Sequence, residues 1–128
     1  MKILKLVLCF LACLAFLASS VFPFQKIDLT GTWIGKTEVP DSGTDEVTLV
    51  LKKTETGYTG IVNDSLAVIA KDTEVKEINL DGDKLFFAFP LADGARVVIK
   101  VTVAGDKLTG FWEHQEGDTG AIEMTRKK

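Results

Sequence analysis

Cysteine is almost absent: the 128-residue chain has two, Cys9 and Cys13, and both fall within its first twenty residues. With that stretch set aside, no thiol is left. Disulfide bridges, zinc–thiolate centres, iron–sulfur clusters and a cysteine nucleophile are excluded together. Histidine occurs once, as His114, and no spacing around it matches a zinc motif. Basic residues are in deficit, 15 Lys and Arg against 18 Asp and Glu. The largest basic cluster is the terminal Arg126-Lys127-Lys128, so nucleic acid, which demands a basic footprint, is excluded as a partner. No Gly-x-Ser-x-Gly elbow is present, and a serine-hydrolase centre has no support. The length leaves room for one domain.

Long apolar runs are missing as well, with one exception. Lys2 and Lys5 precede an unbroken apolar run of 13 residues, Leu6 to Ala18, and Ala18-Ser19-Ser20 closes it with small residues. A basic start, an apolar middle and a small-residue site read as an export signal over residues 1–20. As a helix the run would reach about 20 Å, short of the ~30 Å hydrocarbon core. Membrane attachment follows only if the signal is retained as an anchor or Cys13 is lipidated. Cleavage after Ser20 leaves residues 21–128 as one secreted or periplasmic domain. It carries 13 basic and 18 acidic residues, a formal charge of −5.

What that domain does have is a period of two. Val47, Leu49 and Leu51 alternate with more polar neighbours, as do Ala95, Val97, Ile99, Val101 and Val103. Turn signals such as Asp81-Gly82-Asp83, Asp93-Gly94 and Ala104-Gly105-Asp106 separate the runs. The pattern predicts eight antiparallel strands, at 31–39, 45–54, 57–64, 73–80, 84–90, 95–103, 107–115 and 119–126. Residues 65–72 fit a ninth strand, a helical turn or a loop equally well. Leu80 to Leu85 recurs as Val103 to Leu108, strand, tight turn and strand each time. A Thr-Gly pair opens three segments, at Thr30-Gly31, Thr59-Gly60 and Thr109-Gly110. Short joints in meander order favour an all-β, eight-stranded, up-and-down barrel, because closure removes exposed edges.

Chemistry-bearing residues are sparse. His114 falls near a strand end, where a rim position explains it. The acids at Asp45-Glu46, Asp81, Asp83, Glu113, Glu116 and Asp118 mostly coincide with turns, which favour Asp for backbone reasons. No catalytic residue, metal site or cofactor is implied. Asn63-Asp64-Ser65 is a glycosylation sequon whose use depends on the host. Aromatic residues say more. Phe86-Phe87 and Phe111-Trp112 are consecutive pairs, so each sends one ring outward. With Phe87, Phe89 and Trp112 inward, Phe86 and Phe111 form a candidate patch for an exported protein partner.

Asp28-Leu29-Thr30-Gly31-Thr32-Trp33 contains a Gly-x-Trp that resembles the first-strand motif of the calycins, the group of lipocalins, fatty-acid-binding proteins and avidins. Together with Tyr58-Thr59-Gly60, Gly105-Asp106-Lys107-Leu108 and Leu108-Thr109-Gly110-Phe111-Trp112, it is similar to small lipocalin-like domains exported by bacteria. The resemblance spans Asp28 to Arg126. It implies that Trp33 plugs one end of the barrel and that Gly31 allows close packing there. The avidin variant is not matched, because Ile34-Gly35-Lys36 lacks polar biotin contacts. Small periplasmic inhibitors of metalloproteases share the size but carry a disulfide that this domain cannot form.

An eight-stranded barrel is either filled by side chains or just able to hold one small ligand. The expectation is therefore a non-enzymatic, lipocalin-like barrel that binds a small hydrophobic or amphipathic ligand. Leu49, Leu51, Phe87, Phe89 and Ile99 are its expected lining, and Gly31 and Trp33 its closed end. The alternative is a solid barrel that acts as an interaction or inhibitor module through Phe86 and Phe111.

Overall fold

Residues 27–128 are described by the structure, a computed structural model; the expected export signal at 1–20 and Cys13 lie outside them. Nine strands follow one another: β1 (Gly31–Val39), β2 (Gly43–Lys53), β3 (Tyr58–Asp64), β4 (Thr73–Glu74), β5 (Lys76–Asp81), β6 (Lys84–Pro90), β7 (Arg96–Ala104), β8 (Lys107–His114) and β9 (Thr119–Arg126). All neighbouring pairs are antiparallel, in the order β4-β3-β2-β1-β9-β8-β7-β6-β5. First and last strands pair, from Trp33 opposite Arg126 to Lys36 opposite Glu123. The result is an up-and-down, nearly closed barrel.

Alternation makes the wall. Along β7, Val97, Ile99, Val101 and Val103 are buried while Arg96, Lys100 and Ala104 are exposed, as a pleat with one face on a core requires. The same parity buries Leu49, Leu51, Val62, Leu85, Phe87, Phe89, Ile122 and Met124. Phe87 and Phe89 stack within this core, their ring centres 6.3 Å apart. The internal repeat is two like hairpins. Asp81 pairs with Lys84 across Gly82-Asp83, and Ala104 with Lys107 across Gly105-Asp106. Gly82 at φ +61° and Gly105 at φ +59° supply the left-handed residue of each turn.

Glycine also sets the wall's curvature at two Thr-Gly pairs. A Cβ at Gly110 would stand 2.0 Å from the Lys100 carbonyl oxygen, and one at Gly60 would stand 2.8 Å from Leu51 Cδ2. At Gly110 the neighbouring backbone approaches too closely for any side chain, whereas at Gly60 the atom met first is a movable leucine methyl.

The expected single strand at 73–80 is broken. Its start serves β3, with Thr73 opposite Val62 and Glu74 opposite Ile61. Its end serves β6, with Asn79 opposite Phe86 and Leu80 opposite Leu85. One straight strand cannot bridge both neighbours across the barrel's bend. The register slips between Lys76 and Asn79, and Glu77 takes φ +55°, a conformation few residues other than glycine adopt. Its carboxylate is held by Arg96. Such a bulge bends a strand and sharpens its twist. The strand count is therefore nine, not eight, and no ladder joins β4 to β5.

Candidate functional site

The two ends of the barrel differ. At one end Trp33 is fully buried and its indole Nε1 donates to the Leu29 carbonyl at 3.0 Å. The Arg126 guanidinium lies over the ring, 4.3 Å from its centre. From there it donates to Asp106 at 2.9 Å and to the carbonyls of Thr30 and Asp28. Gly31, at φ +137°, faces the same guanidinium: a Cβ would meet Nη1 at 3.4 Å. Tyr58 completes the plug, its hydroxyl accepting from the Leu29 amide at 3.2 Å. Trp33 and Gly31, expected at the closed end, lie together under the Arg126 guanidinium.

The other end holds a cavity of about 280 Å³. Its floor and walls are apolar: Val47, Leu49, Val62, Phe87, Phe89, Val97, Ile99, Ile122 and Met124. Four of the five residues expected to line a site are there, Leu49, Phe87, Phe89 and Ile99. Leu51 is not. It is buried, but it pairs with Gly31 at the plugged end.

Three contributors escape the pattern of strand cores. Trp112 is half-buried in the wall, its Nε1 donating to Thr37 Oγ1 at 2.7 Å, while that hydroxyl donates to the Ala121 carbonyl at 2.8 Å. Gly120 opposite it leaves room for the ring, since a Cβ would lie 2.6 Å from the indole. Residues 65–72 form neither strand nor helix but a loop folded over the opening, with Val68 and Ile69 facing the cavity. Two carboxylates pin this loop. Asp45 accepts from the Ser65 amide at 3.1 Å and the Leu66 amide at 3.0 Å. Asp64 accepts from the Val68 and Ile69 amides, both at 3.0 Å. Asn63 clasps the loop's far side through its Nδ2 bond to Asp72 at 3.2 Å. Asp45 and Thr37 share the inward parity of Leu49 and Trp33, a signal available in the sequence. Val68 and Ile69 offer none.

Asp45 is only 3% exposed. Burial raises its pKa above the ordinary carboxylate value, and the adjoining Asp64 carboxyl adds to the rise. The folded state therefore holds the proton more tightly than the unfolded chain. Stability is greatest below the ordinary carboxylate value and falls as pH climbs through the raised one. Asp45→Asn keeps an acceptor for the loop amides and removes the charge. It is expected to flatten this slope and to be more stable than the parent at pH 7, read as urea midpoints between pH 3 and pH 8. Asp45→Ala, which strands the amides, should instead cost about 1–3 kcal/mol.

The mouth carries His114, Asp93 and Asp118. His114 ends β8 and its Nδ1 accepts from the Glu116 amide at 3.1 Å, which keeps it at the rim. Among the described residues no group of three His, Cys, Asp or Glu is placed to hold a metal ion. On the outer wall Phe111 is 60% exposed and Phe86 is half-buried. Both lie in one cross-strand row with Lys100 between them, so a charged side chain divides the expected patch.

No family model matches the chain, and no curated protein matches it. Among solved structures it is similar to a de novo designed fluorescence-activating β-barrel. The two share 18% identity over 77% of this chain and 94% of the designed one, with a TM-score of 0.56. The likeness is one of fold: an all-β, nearly closed antiparallel barrel.

Proposed function

We propose that this chain is an exported, non-enzymatic, lipocalin-like carrier that binds one small hydrophobic or amphipathic molecule in the open-end cavity. The cavity itself carries the reading: an apolar chamber of about 280 Å³ in a barrel that is plugged at its opposite end. Ligand sites commonly run from roughly 300 to 1,000 Å³, so the ligand is small. The plug of Trp33 under Arg126 supports the calycin resemblance, and the fold shared with a fluorescence-activating design supports binding in such an interior. The export signal read at residues 1–20 supports a secreted or periplasmic carrier.

Titration with N-phenyl-1-naphthylamine, a neutral dye that brightens in apolar surroundings, tests this. Saturable binding at one site is expected. Val97→Trp places an indole in the cavity, and it should weaken binding by about tenfold or more, some 1.4 kcal/mol. A filled cavity of this kind costs the fold about 1–3 kcal/mol, which circular dichroism would show to be survivable. Absence of saturable dye binding by the parent protein would overturn the proposal.

A further inference from the structure

The cavity's lining includes Asp45, Asp93 and Asp118 and not one lysine or arginine. None of these three carboxylates takes part in an ion pair among the described residues. The four loops around the opening carry Asp41, Asp72, Asp93, Glu116 and Asp118 against Lys71 alone. At the plugged end Lys52, Lys53, Lys84, Lys107, Arg126, Lys127 and Lys128 stand beside Asp28, Glu55, Asp81, Asp83 and Asp106, with Asp83 paired to Lys84 and Asp106 to Arg126. The mouth is therefore the more acidic end of the barrel.

We infer that the ligand is an organic cation: an ammonium head seated at the mouth on a short apolar body that fills the chamber. The inference rests on the carrier reading and narrows its ligand class. An anionic head, such as that of a fatty acid, would face Asp45, Asp93 and Asp118 with no cation to receive it. An ammonium head meets the exposed carboxylates of Asp93 and Asp118 at the mouth, with Trp112 and Phe89 also lining the cavity. Carboxylates and aromatic faces together are the chemistry that holds alkylammonium groups. The acidic mouth also draws cations toward the opening before contact, an effect that salt screens.

The test displaces bound N-phenyl-1-naphthylamine at pH 7 and low salt with three ligands of equal tail, octylammonium, octan-1-ol and octanoate. Octylammonium is expected to displace the dye at about one-tenth or less of the octanoate concentration, with the alcohol between them. The gap should narrow in 0.5 M NaCl, as a mouth of exposed charges requires. Asp93→Asn with Asp118→Asn, both on exposed turns, should shrink it to about threefold. Octanoate displacing the dye as readily as octylammonium would overturn the cationic assignment and leave the carrier reading intact. A dye that never binds would overturn both.

Discussion

Trp33→Ala is expected to cost about 3–5 kcal/mol, the range for emptying a fully buried tryptophan site. A domain of this size has only about 5–15 kcal/mol in total, so the variant should be largely unfolded in mild urea. The cost has three sources that act together. The indole volume is lost from the closed end. The Leu29 carbonyl, bonded to Nε1 at 3.0 Å, loses its partner. Arg126, which lies over the ring, loses the surface that steadies its bonds to Asp28, Thr30 and Asp106. Trp33→Phe keeps most of the packing and gives up the N–H, and should cost about half as much or less. Urea denaturation followed by far-ultraviolet circular dichroism checks both. A loss below 1 kcal/mol for the alanine variant would mean that Trp33 does not seal the barrel.

Gly110→Ala is the second large effect, and it works by a different route. The new methyl would lie 2.0 Å from the Lys100 carbonyl oxygen and 2.8 Å from Val101 Cα. Both are backbone atoms, so no rotamer change relieves the clash and β8 must retreat from β7. Overpacking of this kind costs about 1–3 kcal/mol and sometimes more. Trp112 lies two residues further along β8, so the displacement should also alter the cavity wall. The expected result is a lowered urea midpoint together with weakened dye binding. Gly57→Ala is the control. Nothing lies within 4 Å of its Cβ position, and the change should be neutral or slightly stabilising. Equal behaviour of the two variants would remove the close-approach account of the Thr-Gly pairs.

Much of the fold could be read from the chain because parity is a local property. Val97, Ile99 and Val101 needed only their neighbours to be assigned inward, and the structure buries all three. The two Gly-Asp hairpins were legible from their local turn residues, and Trp33 from the Gly-x-Trp motif. Parity assigns a face, however, and not a height along the barrel. Leu51 has the same parity as Leu49 yet lies at the plugged end, because its height follows from pairing with Gly31. The break at Val75 was hidden because it arises from two partners far apart in sequence, β3 and β6. The loop over the opening was hidden because its order comes from Asp45 and Asp64 rather than from any pattern in residues 65–72. Asp45 was read with the turn acids, although its parity with Val47 and Leu49 puts an acid at an inward position, a local misfit of the kind that marks a site.

Where the chain crosses from β3 to β6, β4 pairs with β3 alone and β5 with β6 alone, and this unpaired seam gives the wall a weak line. Everywhere else, parting two strands means breaking a row of backbone bonds at once. Here the chain merely crosses over, with Val75 still tied to the Gly60 carbonyl at 2.9 Å and a bulge just beyond it. Thermal breathing will therefore concentrate along this one line, and the amides near it will trade their hydrogens with solvent ahead of those in β1, β8 and β9.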